Sequence, residues 1–410
     1  MLIGFVNVNN TYFFNNTSIE GGIFLVFENP YLINNLISIE SSVFESNSAL
    51  FSLENCYFSI LNSKFQNNLD KIFDLTDSNL YIANITVINH ICSGVETGCL
   101  IASQENSNII MENNIFFNIV TQTEGFIFSL DSQIIMDNST FSLVFSAKNL
   151  GSCVFATTSD IKISDCEFQN ISCSCVYLQS SNFSLADSSF LWNVNFFSSD
   201  YDDGTVFCDS CSEFSINNSI FQNQNFITQG ASVQISSTNN IGNNEYLIEN
   251  CSFINNSAIY YGGALKIFSG NLSVINSMFI GNSAGSGGAI FYDVSIDSFQ
   301  DSHLNLINNN FINNIGYSEG GAITWTYNEP NYVSTNIFEF NQAVYGNDIA
   351  TLPIKINLKV ISEENENLLG MEENNMNYIN VSSGSEINGN FVFEILDIYD
   401  NIVTTIETNK

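Results

Sequence analysis

The sequence predicts an all-β chain: a right-handed parallel β-helix of about thirteen coils over residues 1–352, followed by the start of a β-sandwich-like (Ig-like) module over 353–410. Three observations predict it. The template apolar-x-apolar-x-Asn-x-x-Phe returns along the chain, no helical periodicity separates its copies, and the pattern changes abruptly after YGNDIATLP.

The template is anchored on Phe13, Phe44, Phe65, Val87, Phe116, Phe141, Phe168, Phe190, Phe221, Phe253, Phe279, Phe311 and Phe338, at separations of 21 to 32 residues. Apolar pairs stand seven and five positions before the anchor, from Val6/Val8 through Ile161/Ile163 to Leu304/Leu306; only Asn331/Val333 breaks the series. Such alternation is the mark of a strand with one buried face.

Three positions before the anchor stand Asn62, Asn84, Asn113, Asn138, Asn218, Asn250, Asn276 and Asn308, with Asp165 and Asp187 in two further copies. Asn tolerates the left-handed conformation and bonds its own backbone, so these positions read as turns. A second Asn follows two or three residues after the anchor, as at Asn67, Asn118 and Asn282, and small residues mark a third segment, as in Gly262-Gly263-Ala264. Each copy therefore supplies about three short strands, and a unit of this size buries its apolar face only by stacking on its like. Stacked coils place each residue type about 4.8 Å from its counterpart, which predicts a Phe-filled lumen, a structural Asn ladder and a rod roughly 60 Å long.

Copies longer than the bare coil carry loops, among them 194–206, 229–245 and 294–303. Beyond Pro353, IKINLKVISEENENLLG and NFVFEILDIYDNIVTTIE read as two longer alternating strands around an Asn- and Glu-rich connection.

Composition narrows function. The chain has 410 residues, 42 acids against 8 bases, no Arg and 63 Asn, with a formal net charge of −34. A surface this acidic repels phosphate backbones and anionic headgroups, which excludes nucleic acid and polybasic membrane docking. No apolar run approaches the ~20 residues of a membrane span. The opening MLIGFVNVNN lacks the charge and length of a signal peptide, so an exported reading expects signal and anchor in segments outside this chain.

FINN at Phe253 with GGAL at Gly262, FIGN at Phe279 with GGAI at Gly287, and FINN at Phe311 with GGAI at Gly320, closed by AVYGNDIA, resemble the repeats of the polymorphic outer membrane protein family. The match is best over 250–350, and the chain as a whole resembles pectin-lyase-like parallel β-helices of the protist surface-protein type. The resemblance implies surface display or adhesion, and it brings no catalytic residues.

Individual side chains add candidates. Cys153 and Cys175 hold the same place in consecutive coils and are disulfide candidates, while Cys166 and Cys251 sit two before the anchor, where other copies have Ser. CDSC at 208–211 is a single CxxC, and a structural zinc site needs two. Of twelve N-x-S/T sequons, Asn182, Asn217, Asn255, Asn271 and Asn380 are the glycosylation candidates. Asp200, Asp202 and Asp203 precede Gly204 as in a Ca²⁺ loop, but without EF-hand spacing, so a solvated acidic loop competes. His90 and His303 stand without a nucleophile phrase.

The expected function is a non-enzymatic cell-surface or extracellular scaffold, without cofactor or metal, whose partner is a cell-surface protein or a glycan. The alternatives are a carbohydrate-active enzyme, a polysaccharide hydrolase or lyase of the pectin-lyase-like superfamily, for which the absence of Arg disfavours acidic substrates and leaves hydrolysis of a neutral glycan by two carboxylates, and a passive structural stalk.

Overall fold

The computed structural model describes residues 5–16, 24–26, 35–48, 51–92, 98–122, 125–147, 151–195, 204–227, 229–236, 245–294, 302–332, 334–361 and 390–408. Its architecture is a parallel β-helix. Three parallel sheets of thirteen strands run along it, and the strands of successive coils are neighbours in each sheet. The first sheet carries the alternating apolar pairs, the second the anchor Phe residues, and the third the segment that follows. From Val194 onward a fourth sheet of six short strands appears between the second and third, a feature the template does not announce.

The lumen is built from the anchors. Phe44 stacks on Phe65 at 4.6 Å, Phe168 on Phe190 at 4.6 Å and Phe279 on Phe311 at 4.9 Å, each pair within 8° of parallel. Val87 interrupts the column, and Phe73 from the third sheet and Phe126, just before a strand of that sheet, turn their edges into it. Strand period two does this: Phe183 and Leu185 point inward while Asn182 and Ser184 point outward.

Most corners before the anchor share a two-residue device, with Ile85 and Thr335 as exceptions. The residue three before the anchor is left-handed, as at Asn62 (φ 50°) and Asn276 (φ 51°). The next residue turns inward and is small and polar. Ser63 Oγ accepts the Ser42 N–H at 3.0 Å and donates to the Leu61 carbonyl at 2.7 Å, so a corner amide that no strand pairs is satisfied one coil away. Cys166 and Cys251 occupy this inward position, where their N–H groups donate to Ser188 and Ser277.

The GGA motif has a steric cause. Gly287 is left-handed (φ 64°), a Cβ on Gly288 would lie 2.2 Å from the Gly321 carbonyl of the next coil, and Ala289 is buried.

The tail differs from expectation in detail. Among the described residues it forms one antiparallel sheet of three strands, Lys355–Ile361, Asn390–Leu396 and Ile402–Thr408. The stretch after Asn390 is two strands rather than one, because Asp397 accepts the Tyr399 and Asn401 N–H groups, both at 2.9 Å, and folds the chain back. The same carboxylate accepts Thr351 N–H at 3.3 Å, and Trp325 Nε1 donates to Tyr399 Oη at 3.1 Å, so the turn is tied to the last coils.

Candidate functional site

Outward-facing side chains of the first sheet are free of the lumen's packing demands, and over eight coils one row of them stays polar: Asn108, Gln133, Asp160, Asn182, Glu213, Glu245, Asn271 and His303. Strand pairing sets Asn108 against Gln133, Gln133 against Asp160, Asp160 against Asn182, and Asn182 against Glu213. Phe214 pairs with Tyr246, which sets Glu213 beside Glu245, and Asn271 and His303 follow.

Two open depressions lie along this row. The larger, about 750 Å³, is bordered by Asp160, Lys162, Asn182, Ser184, Glu213, Ser215, Glu245 and Leu247; the smaller, about 520 Å³, is bordered by Asn108, Asp131, Gln133 and Thr158 among others and shares Asp160. Asn182 Nδ2 donates to Asp160 Oδ1 at 2.6 Å, which fixes both side chains at the junction. Three carboxylates face one lysine in the larger depression, so its potential is negative and it disfavours anionic ligands. The surface offers hydrogen-bonding groups at coil spacing on strands that a packed lumen holds still.

The residues singled out in sequence fall as follows. The turn Asn residues are exposed and left-handed, and they bond along the axis in segments: Asn84 to Asn62 at 3.2 Å, Asn138 to Asn113 at 2.6 Å and Asn308 to Asn276 at 3.1 Å. Between Asn138 and Asn218 the row passes through Asp165 and Asp187, whose carboxylates have no proton to hand on. The longer ladder is a different one, three residues after the anchor. Asn256, Asn282, Asn314 and Asn341 are buried, and each passes an Nδ2 bond to the next. Adjacent Asn residues such as Asn313-Asn314 left the choice open, because only the turn geometry decides which faces inward.

Cys153 and Cys175 do occupy consecutive coils, but they are free, buried thiols. Cys153 N–H donates to the Cys175 carbonyl at 3.0 Å, so the two residues are neighbours through their backbones in successive coils. Disulfides join Cys92 to Cys99 and Cys208 to Cys211 instead. Of the sequons, Asn255 is exposed, whereas Asn182, Asn217 and Asn271 are half-buried on the first sheet; Asn380 lies outside the described residues, as do Asp200, Asp202 and Asp203.

His90 faces the interior. It is wholly buried, and one ligand atom from each of His90, Cys92 and Cys99 lies within 4.8 Å of the others. Burial pushes its pKa down to about 4, with the Asp70 carbonyl opposing. The spacing His90-x-Cys92 on one strand face was the available signal.

No protein-family model matches the chain, and no curated protein matches it. Among solved structures it is similar to the A-module of the mannuronan C-5 epimerase AlgE4 of Azotobacter vinelandii (11% identity, 78% of this chain and 91% of that one, TM-score 0.34). It is also similar to the A-module of AlgE6 from the same organism (11%, 74% and 91%, 0.27) and to the periplasmic alginate epimerase AlgG (8%, 78% and 77%, 0.23).

Proposed function

We propose that the chain is a non-enzymatic, extracellular or cell-surface scaffold that holds an extended neutral glycan along the first sheet. The observation behind this reading is the unbroken row of eight polar side chains, one per coil, that passes through the two joined depressions. A polymer with repeated hydroxyls matches a surface with repeated donors and acceptors, and three carboxylates beside one lysine favour a neutral chain over an acidic one. Rigid strands keep the groups in place before binding, which reduces the ordering cost of association. The GGA[IL] and Phe-x-x-Asn pairs support surface display in the same sense. The test is a neutral-glycan array probed with the intact chain and with the double variant Glu213→Ala, Glu245→Ala. Binding that the variant loses supports recognition along this row; absence of binding by either protein leaves the passive stalk.

One observation favours a second reading. Glu213 and Glu245 stand in register on adjacent coils, whose spacing of about 4.8 Å is close to the ~5–5.5 Å between the carboxyl groups of retaining glycosidases. A carbohydrate-active enzyme would use one as acid and the other as nucleophile. Release of reducing ends from a bound neutral glycan, abolished by Glu213→Gln with binding kept, would decide for this alternative.

A further inference from the structure

The disulfide between Cys92 and Cys99 accounts for two sulfurs but not for the imidazole beside them. His90 stands three residues after its anchor Val87, the place that Asn47 and Asn68 hold in earlier coils, where those amides bond both neighbours. Its Nε2 lies 2.8 Å from the Asp70 carbonyl. The same Nε2 lies 3.4 Å from Cys92 Sγ, so it is the ring nitrogen that faces the sulfurs, with Nδ1 on the other side of the ring. That Nδ1 is buried and has no hydrogen-bond partner. Asp70 Oδ1 is likewise buried without a partner.

We propose that His90, Cys92 and Cys99 form a thiol-gated Zn²⁺ site, closed as a disulfide in the oxidised chain and open to the ion once the disulfide is reduced. Ligand atoms within 4.8 Å of one another need only small side-chain movements to meet one ion with bonds of about 2.0–2.3 Å. Two sulfurs and one imidazole are a borderline-soft set that suits Zn²⁺. The chemistry balances. A dithiol reductant gives two electrons and two protons to the Cys92–Cys99 bond and leaves as its own cyclic disulfide. The two thiols then lose their protons as two Zn–S bonds form, so each Zn²⁺ bound releases two protons.

The experiment uses the full chain, reduced with a dithiol and desalted without air, and titrated with Co²⁺ as a spectroscopic probe. The expected result is one equivalent bound, with a thiolate-to-cobalt charge-transfer band that Zn²⁺ abolishes. That band is absent from the oxidised chain and from the double variant Cys92→Ser, Cys99→Ser, which keeps the other thiols. His90→Gln should weaken binding by at least about tenfold, the lower end of what losing even an outer partner of a metal site costs. Alkylation of the unmutated chain followed by mass spectrometry makes the result independent of variant folding: Zn²⁺ should protect Cys92 and Cys99 and leave the remaining thiols unchanged. No band in the reduced chain, a band retained by the double variant, no selective protection, or a disulfide that a dithiol cannot reduce in the folded chain would each overturn the proposal.

Discussion

Asn282 and Asn314 share one acceptor across a coil: the backbone N–H and the Nδ2 of Asn282 both donate to Asn314 Oδ1, at 2.9 and 3.0 Å. Asn314 Nδ2 reaches on to the Phe279 carbonyl at 2.9 Å, so the amide joins the corner to the column of anchors. The coils are therefore held in register by polar groups inside the corner as well as by stacked rings.

Removing that acceptor is expected to be costly. Asn314→Ala leaves two buried donors of Asn282 unpartnered and should lower stability by about 2–4 kcal/mol. Asn313→Gly, at the exposed left-handed position beside it (φ 55°), should change stability by less than about 1 kcal/mol. Urea unfolding of the two variants compares them, and equal effects would refute an interior role for the ladder.

Glycines of this repeat should separate into two kinds. Gly288→Ala drives a methyl into the Gly321 carbonyl, 2.2 Å from an ideal Cβ, and should cost about 3 kcal/mol or more or prevent folding. Gly281 has φ 66° at the turn where other coils carry Asn, and an ideal Cβ there meets only the Asn255 side chain. Gly281→Asn should stay within about 1 kcal/mol of the parent, read by the thermal midpoint.

The thiols at the inward corner position should be inert. Burial pushes the Cys166 and Cys251 thiols up to about 12, because the thiolate is the form the interior penalises. Their folded pKa exceeds the unfolded one, so the associated stability is full below pH 9 and is lost as pH rises toward 12. Iodoacetamide at pH 8 should leave both unmodified in the folded chain and label both in denaturant. Cys251→Ser, the residue that Ser219 and Ser277 present one coil away on either side, should shift stability by less than about 1 kcal/mol.

The tail should depend on one carboxylate. Asp397→Ala removes the acceptor for Tyr399, Asn401 and Thr351. The expected outcome is faster amide exchange and proteolysis within 390–408, while the coils before 350 keep their protection; unchanged exchange in the tail would show that the strands alone hold it.

Much of this molecule was readable along the chain because its determinants are local and repeated. Phe168 and Phe190 face inward for the same reason that Ile161 and Ile163 do: strand period two sorts side chains between lumen and solvent, and burial imposes that on every coil alike. Asn62 and Asn276 could be placed at left-handed turns, since few other residues adopt that conformation at so little strain. What only the tertiary structure decided was which coil positions become neighbours. Asn314 rather than Asn313 enters the ladder through a one-residue turn; Cys92 meets Cys99 and His90, while Cys153 and Cys175 run side by side unbridged; and Glu213 is brought beside Glu245 across a copy 32 residues long. Outward side chains carry no packing signature, and insertions of varying length separate them in sequence, so their juxtaposition exists only once the sheet register has set them side by side.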